Sequence, residues 1–235
     1  MRPIWIGVLA LAIALLSGAG SATTQLPERV IIDGETAWIE LATPLAAYWN
    51  AEPDRFAAVR RGIRSTALYR GYRGTWEIAG GRLWLRKIEI DVEHSTDGKI
   101  IARDVIREVF PSGIDPVASW YSGTLIIPRG PIARFDRIEQ EALFERYTLI
   151  RIADGRVERR LDMEGEAFVT YREAQFQAFK RTRAYQQAFE KARERTVDQM
   201  IDPQLFDSQV DSYLTLNDPP AVPATTGPAK SRSDR

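Results

Sequence analysis

Four two-residue turn signals punctuate the first two thirds of the chain: Asp33-Gly34, Gly80-Gly81, Asp97-Gly98 and Asp154-Gly155. A reversal this tight needs positive φ at its centre, which glycine adopts freely and Asp tolerates. The runs beside these dipeptides are rich in β-branched and aromatic residues, as in "VIIDGETAWIEL", "GTWEIAGGRLWLRKIEIDV" and "RYTLIRIADGRVERRL". Hairpin after hairpin predicts a mainly β (α+β) domain over residues 28–162, an antiparallel sandwich or open barrel. Within the second hairpin, Trp76 and Ile78 fall on one face, and Leu83 and Leu85 mark the returning strand. Ile88 then breaks the alternation, so a bulge near Arg86 and Lys87 is expected. "IIARDVIREVF" reads as a further β segment, and "SWYSGTLIIPRG" as another that stops at Pro128.

The pattern changes after Asp162. From Glu166 to Met200 there is neither Gly nor Pro, and Ala, Gln, Glu and Arg dominate. This composition predicts one long C-terminal helix over 163–201, carrying an irregular stripe of Tyr171, Phe176, Phe179, Tyr185 and Phe189. Such a helix lies on the sheet or extends from it, with coiled-coil dimerisation as the other arrangement. Residues 217–235 hold four prolines and no large apolar residue after Val222, and are expected to be a disordered tail.

The other end reads as an export signal. Arg2 precedes an apolar run from Ile4 to Leu16, followed by small residues through Ala22. Thirteen residues are too few for a bilayer span, which takes about 20. Cleavage near Ala22, and a periplasmic or secreted location, are therefore expected. Removing residues 1–22 leaves 213 of the 235, enough for a domain with a sizeable core, and no transmembrane segment in the mature chain is predicted.

Composition excludes several chemistries. There is no cysteine, so disulfides, thiolate metal sites and a lipid-anchored cysteine are ruled out. The single histidine, His94, lies in an expected turn and leaves no basis for a Ser-His-Asp triad. Lys plus Arg and Asp plus Glu are 32 each, which gives no electrostatic case for nucleic acid. "DVEHSTDG" spaces Asp91, Glu93, Ser95 and Asp97 alternately, but Thr96 and Ala102 stand where a calcium loop requires Gly and Glu. No metal and no cofactor is expected.

Aromatic residues are the more suggestive feature. Trp38, Trp49, Trp76, Trp84 and Trp120 fall within the β region, with Arg70, Arg73 and Arg82 close to some of them. Such residues form either a stacking and anion-binding surface or a core from which arginines reach outward. The candidate ligand-binding residues are Arg70, Trp76, Glu77, Trp84, Trp120 and Tyr121. Glu77 beside Trp76 is the carboxylate to test for glycoside chemistry.

Arg70-Gly71-Tyr72, Gly74-Thr75-Trp76-Glu77-Ile78 and, further on, Trp120, Ser122-Gly123, Leu125, Ile127-Pro128 and Gly130 form two ordered motifs, R-G-Y-x-G-T-W-E-I and W-x-S-G-x-L-x-I-P-x-G. Over roughly Ser65 to Gly130 the chain resembles an uncharacterised bacterial protein family carrying both motifs, a likeness that implies no activity. Gly74-Thr75-Trp76 also matches the G-x-W of lipocalin-like barrels, although it does not open the domain. The functional expectation is a soluble, exported, non-catalytic binding or interaction module of the bacterial envelope. Its partner is an envelope protein or a small ligand. The alternatives are a carboxylate-dependent hydrolase of envelope glycans and a lipocalin-like carrier of small molecules.

Overall fold

A computed structural model describes residues 25–93, 98–113, 115–136, 141–194 and 206–207. The expected leader at 1–22, the Asp97 turn and the expected tail at 217–235 lie outside the described residues. Among the described residues, no helix is long and apolar enough to cross a membrane.

Among the described residues, eight strands form one sheet. They are β1 Glu28–Ile32, β2 Glu35–Ile39, β3 Arg73–Ala79, β4 Arg82–Glu93, β5 Ile100–Asp104, β6 Gly123–Asp136, β7 Glu141–Ala153 and β8 Arg156–Glu164. Their order is β2-β1-β3-β4-β8-β7-β6, with β5 paired to β4. The three hairpin turns that fall among the described residues are present, and Asp33, Gly34, Gly80, Gly81, Asp154 and Gly155 all have positive φ. The predicted bulge is present too: Thr75 faces Lys87 and Trp76 faces Leu85, so Arg86 is the extra residue.

The sheet is mixed, not purely antiparallel, because β1 runs parallel to β3 with Val30 opposite Trp76. A parallel neighbour requires a crossover, and residues 40–72 provide it. This segment contains helices α1 Ala46–Ala51 and α2 Ala57–Arg60, with short 3-10 turns at Pro53–Phe56 and Thr66–Leu68. The sheet curls without closing. Its outer strands β2 and β6 approach at a bridge between Glu40, just after β2, and Ile126, where the Glu40 amide donates to the Ile126 carbonyl at 2.9 Å.

Three further expectations are corrected. Pro128 does not end its strand: β6 continues through it to Asp136. A proline lacks the N–H that a second neighbour would need, and an edge strand such as β6 has no ladder on one side. "IIARDVIREVF" is β5 followed by helix α3 Ile106–Val109, started by the Asp104 carboxylate accepting from the Ile106 amide at 3.0 Å. Over the described residues the expected C-terminal helix is two helices, α4 Gly165–Lys180 and α5 Arg183–Glu194, and its expected end at 195–201 lies outside the described residues. Thr182 makes the break: its hydroxyl accepts from the Tyr185 amide, capping α5, and donates to the Phe179 carbonyl. The two helices fold against each other through Phe179 and Tyr185, whose rings meet edge to face at 5.8 Å.

The curled sheet has two apolar faces. Inside lie Val30, Ile32, Trp76, Leu85, Ile88, Ile90, Leu125, Ile127, Ile150 and Ile152, capped by the crossover helices. Outside, α4 covers Ile126, Tyr147 and Leu149, with Phe168 stacked on Tyr147 at 3.9 Å.

A third set of contacts ties the hairpins together. The Leu83 amide donates to the Gly155 carbonyl at 2.9 Å, the Ala118 amide to Leu83, and the Gly155 amide to Tyr121. Gly155, at φ +75°, sits so close that an added Cβ would lie 2.8 Å from the Ala118 carbonyl carbon. Gly155→Ala is expected to lower unfolding free energy by roughly 2 to 4 kcal/mol from backbone strain and overpacking together. Gly34→Ala, at a turn with open space around it, should cost only about 1 kcal/mol. Urea unfolding of the two variants measures the difference.

Candidate functional site

Two polar constellations stand out, one buried and one open. The buried one is built on the first motif. Alternation along β1 points Glu28, Val30 and Ile32 inward. The parallel pairing places Trp76 beside them. The Trp76 indole N–H donates to Glu28 Oε2, and both side chains are fully enclosed. The Arg70 guanidinium lies 3.8 Å from Glu28 Oε1, and is itself held by the carbonyls of Tyr72, at 2.9 Å, and Leu26. Among the described residues, Glu28 Oε1 accepts no hydrogen bond.

Burial dominates the electrostatics here. It pushes the Glu28 carboxyl up to about 7 against the opposing pull of Arg70 and the Trp76 hydrogen bond. Tyr72 and Tyr121 are pushed up as well, by burial first and then by the nearby Glu28 charge. Gly74 leaves the space for this arrangement, since an added Cβ would stand 2.5 Å from Glu28 Oε2 and 2.8 Å from the Trp76 indole nitrogen. Glu28 presents no side-chain surface to solvent, and its contacts tie β1 to Trp76 of β3 and to Arg70.

The sequence candidates therefore separate. Arg70, Trp76 and Tyr121 gather around Glu28. Glu77, the next residue along β3, instead pairs with Arg86, whose Nε donates to Glu77 Oε2 at 2.6 Å. Arg86 also binds Asp115 at 2.9 Å, and Arg107 completes the network with Asp115 at 2.5 Å. Trp84 lies beneath this network with the Arg86 guanidinium 5.3 Å from its ring, and its indole N–H donates to the Ala79 carbonyl. Trp120 is half-buried in a chain of rings with Tyr48 and Phe110 and donates to the Pro44 carbonyl at 3.0 Å. The six residues form no common surface. Asp91, from the alternating acidic stretch, is paired with Arg73 at 3.2 Å.

The open constellation is a cleft of about 570 Å³ where the inner face of the sheet passes from core to solvent. Cross-strand pairing builds it: Arg129 on β6 opposes Arg146 on β7, which opposes Glu164 on β8, while Thr148 opposes Asp162 and Ile150 opposes Arg160. Asp33 and Glu35, at the β1–β2 turn, form the facing wall. Arg160 spans the gap, bonded to Asp33 at 2.7 Å and Asp162 at 3.0 Å. Asp162 also accepts from the Thr148 hydroxyl at 2.6 Å. Despite some burial, these donors hold the Asp162 carboxyl below its ordinary range, and the two carboxylates raise Arg160. Arg129 contacts Glu35 at 3.5 Å.

None of the cleft residues was among the sequence candidates. A usable signal exists: Arg160, Asp162 and Glu164 alternate along the strand that follows a recognisable turn, which puts all three on one face. The facing wall depends on the curl of the sheet. Glu28 has no signal at all, since its burial follows from the parallel pairing.

No family model, no curated protein and no solved structure matches the chain.

The raised Glu28 carboxyl sets the direction of a pH effect. Between about 4.5 and about 7 the folded chain holds a proton that the unfolded chain has lost. This contribution is therefore complete below about 4.5 and declines as pH rises through about 7, by roughly 3 kcal/mol in all. Glu28→Gln, which mimics the protonated carboxyl, is expected to remove that decline and to leave the protein at least as stable as the parent at pH 8. Denaturant midpoints of both proteins from pH 5 to 8 test it.

Proposed function

We propose that this protein is a non-catalytic binding module of the bacterial envelope that takes a small polar ligand in the cleft between the β1–β2 turn and strands β6 to β8. One observation carries the reading: the cleft is polar, open and already held in shape. Arg160 is fixed between two carboxylates, and Asp162 between Arg160 and Thr148. Preorganised polar groups of this kind lose little freedom when a ligand arrives.

The geometry favours binding over the alternatives. A glycoside hydrolase needs one carboxyl kept protonated near a second that is ionised. In the cleft Asp162 is pushed the opposite way, and Glu77 is occupied by Arg86 on another face. A carrier of apolar molecules needs an apolar cavity, whereas Trp76, Leu85, Ile88 and Leu125 fill the interior of the curl and the cleft above it is charged. The export signal supports an envelope location. The two motifs, which serve as bracing, support a family united by scaffold.

A thermal-shift screen of the purified protein against small polar metabolites tests this. Compounds that raise the melting temperature should lose their effect in Arg160→Gln and keep it in Glu77→Gln. Stabilisation that survives Arg160→Gln, or chemical turnover of a stabilising compound, would contradict the reading.

A further inference from the structure

We propose that Arg129 and Arg146 form an oxyanion subsite at the β6–β7 side of the cleft, receiving the phosphate or carboxylate group of the ligand. This rests on the cleft being the binding site. The register places the two arginines directly opposite each other on adjacent antiparallel strands. Like charges so placed repel, and neither is bonded to two carboxylates as Arg160 is, although Arg129 lies near enough to Asp162 to help lower that carboxyl. The Arg129 side chain is only 19% exposed, and its carboxylate contact, Glu35 at 3.5 Å, is with a side chain 80% exposed. Arg146 has no ion pair among the described residues, although it lines the same cleft.

The contrast within one cleft is informative. Asp33 and Asp162 satisfy Arg160, so it serves as a strut. Arg129 and Arg146 both line the cleft, and a planar guanidinium fork matches a carboxylate or phosphate with two parallel hydrogen bonds. An anion there would also remove the repulsion between the pair. Glu164, opposite Arg146 on the other side and lining the same cleft, carries a negative charge that opposes an anion bound there.

Isothermal titration of the intact protein at low ionic strength, with inorganic phosphate and separately with succinate, tests the subsite. Saturable binding of at least one is expected, weakened roughly ten- to a hundredfold in Arg146→Gln and in Arg129→Gln, the loss of one charged hydrogen-bonding partner. Arg156→Gln, at the far end of β8, should bind as the parent does, and Glu164→Gln should bind more tightly. If the arginine variants melt too low to titrate, the Glu164→Gln gain still decides the matter. Heat that does not saturate with either anion overturns the subsite. So does binding that is equal in Arg146→Gln and parent, or unchanged in Glu164→Gln. Failure here with retained Arg160-dependent thermal shifts by uncharged compounds would leave the cleft as the binding site and remove only its anion preference.

Discussion

Burying a carboxylate is costly, and the core of this protein is arranged around one. Glu28 reaches inward from the first strand because β1 lies parallel to β3, and Trp76 and Arg70 meet it there. Removing a charged carboxyl from water exceeds what one hydrogen bond and one ion pair at 3.8 Å return, so the balance shifts toward the protonated form. The first motif is legible in those terms. Arg70 supplies the compensating charge, Gly74 the space, and Trp76 both the donor and the largest of the fully buried side chains. Such a cluster fixes one pairing of β1 and disfavours others, since a slip by one residue would turn Glu28 outward and Arg29 inward.

The second motif finishes what the first begins. Trp120 and Tyr72 are linked by a chain of rings through Tyr48, Phe56 and Trp49 of the crossover. The main chain around Ala118 and Tyr121 joins the Gly80-Gly81 hairpin to the Asp154-Gly155 hairpin. With both ends braced, the sheet curls until β2 reaches β6. That curl brings Asp33 across to Arg160, two residues 127 positions apart in sequence. The cleft is thus a consequence of the bracing, and the motif residues shape it without lining it.

Local features of the fold are legible in the sequence because local chemistry dictates them. Turns that need positive φ display their Gly and Asp, and the bulge at Arg86 displays its broken alternation. Other features depend on contacts between distant segments. The parallel β1–β3 pair needs a crossover whose helices are short, though Ala46, Ala47, Ala51, Ala57 and Ala58 hint at them. Pro128 reads as a stop unless its strand is known to lie at an edge. The break in the C-terminal helix rests on one capping threonine within an otherwise helix-favouring run. The candidate residues are not brought together as a group for a similar reason. Neighbours on a strand point to opposite faces, so Trp76 and Glu77 belong to different environments. Arg129, Arg146 and Asp33 come together only through pairing and curl.

If the motif is bracing and the cleft is the working surface, substitutions should separate into those that change stability and those that change binding. The brace itself can be observed directly. Following the Glu28 side-chain carboxyl carbon by NMR through a pH titration measures whether a buried, Trp76-bonded acid lies at the heart of the fold. The expected midpoint is about 7. A midpoint in the ordinary range for an exposed glutamate, about 4.3, would show Glu28 solvated and would contradict the account.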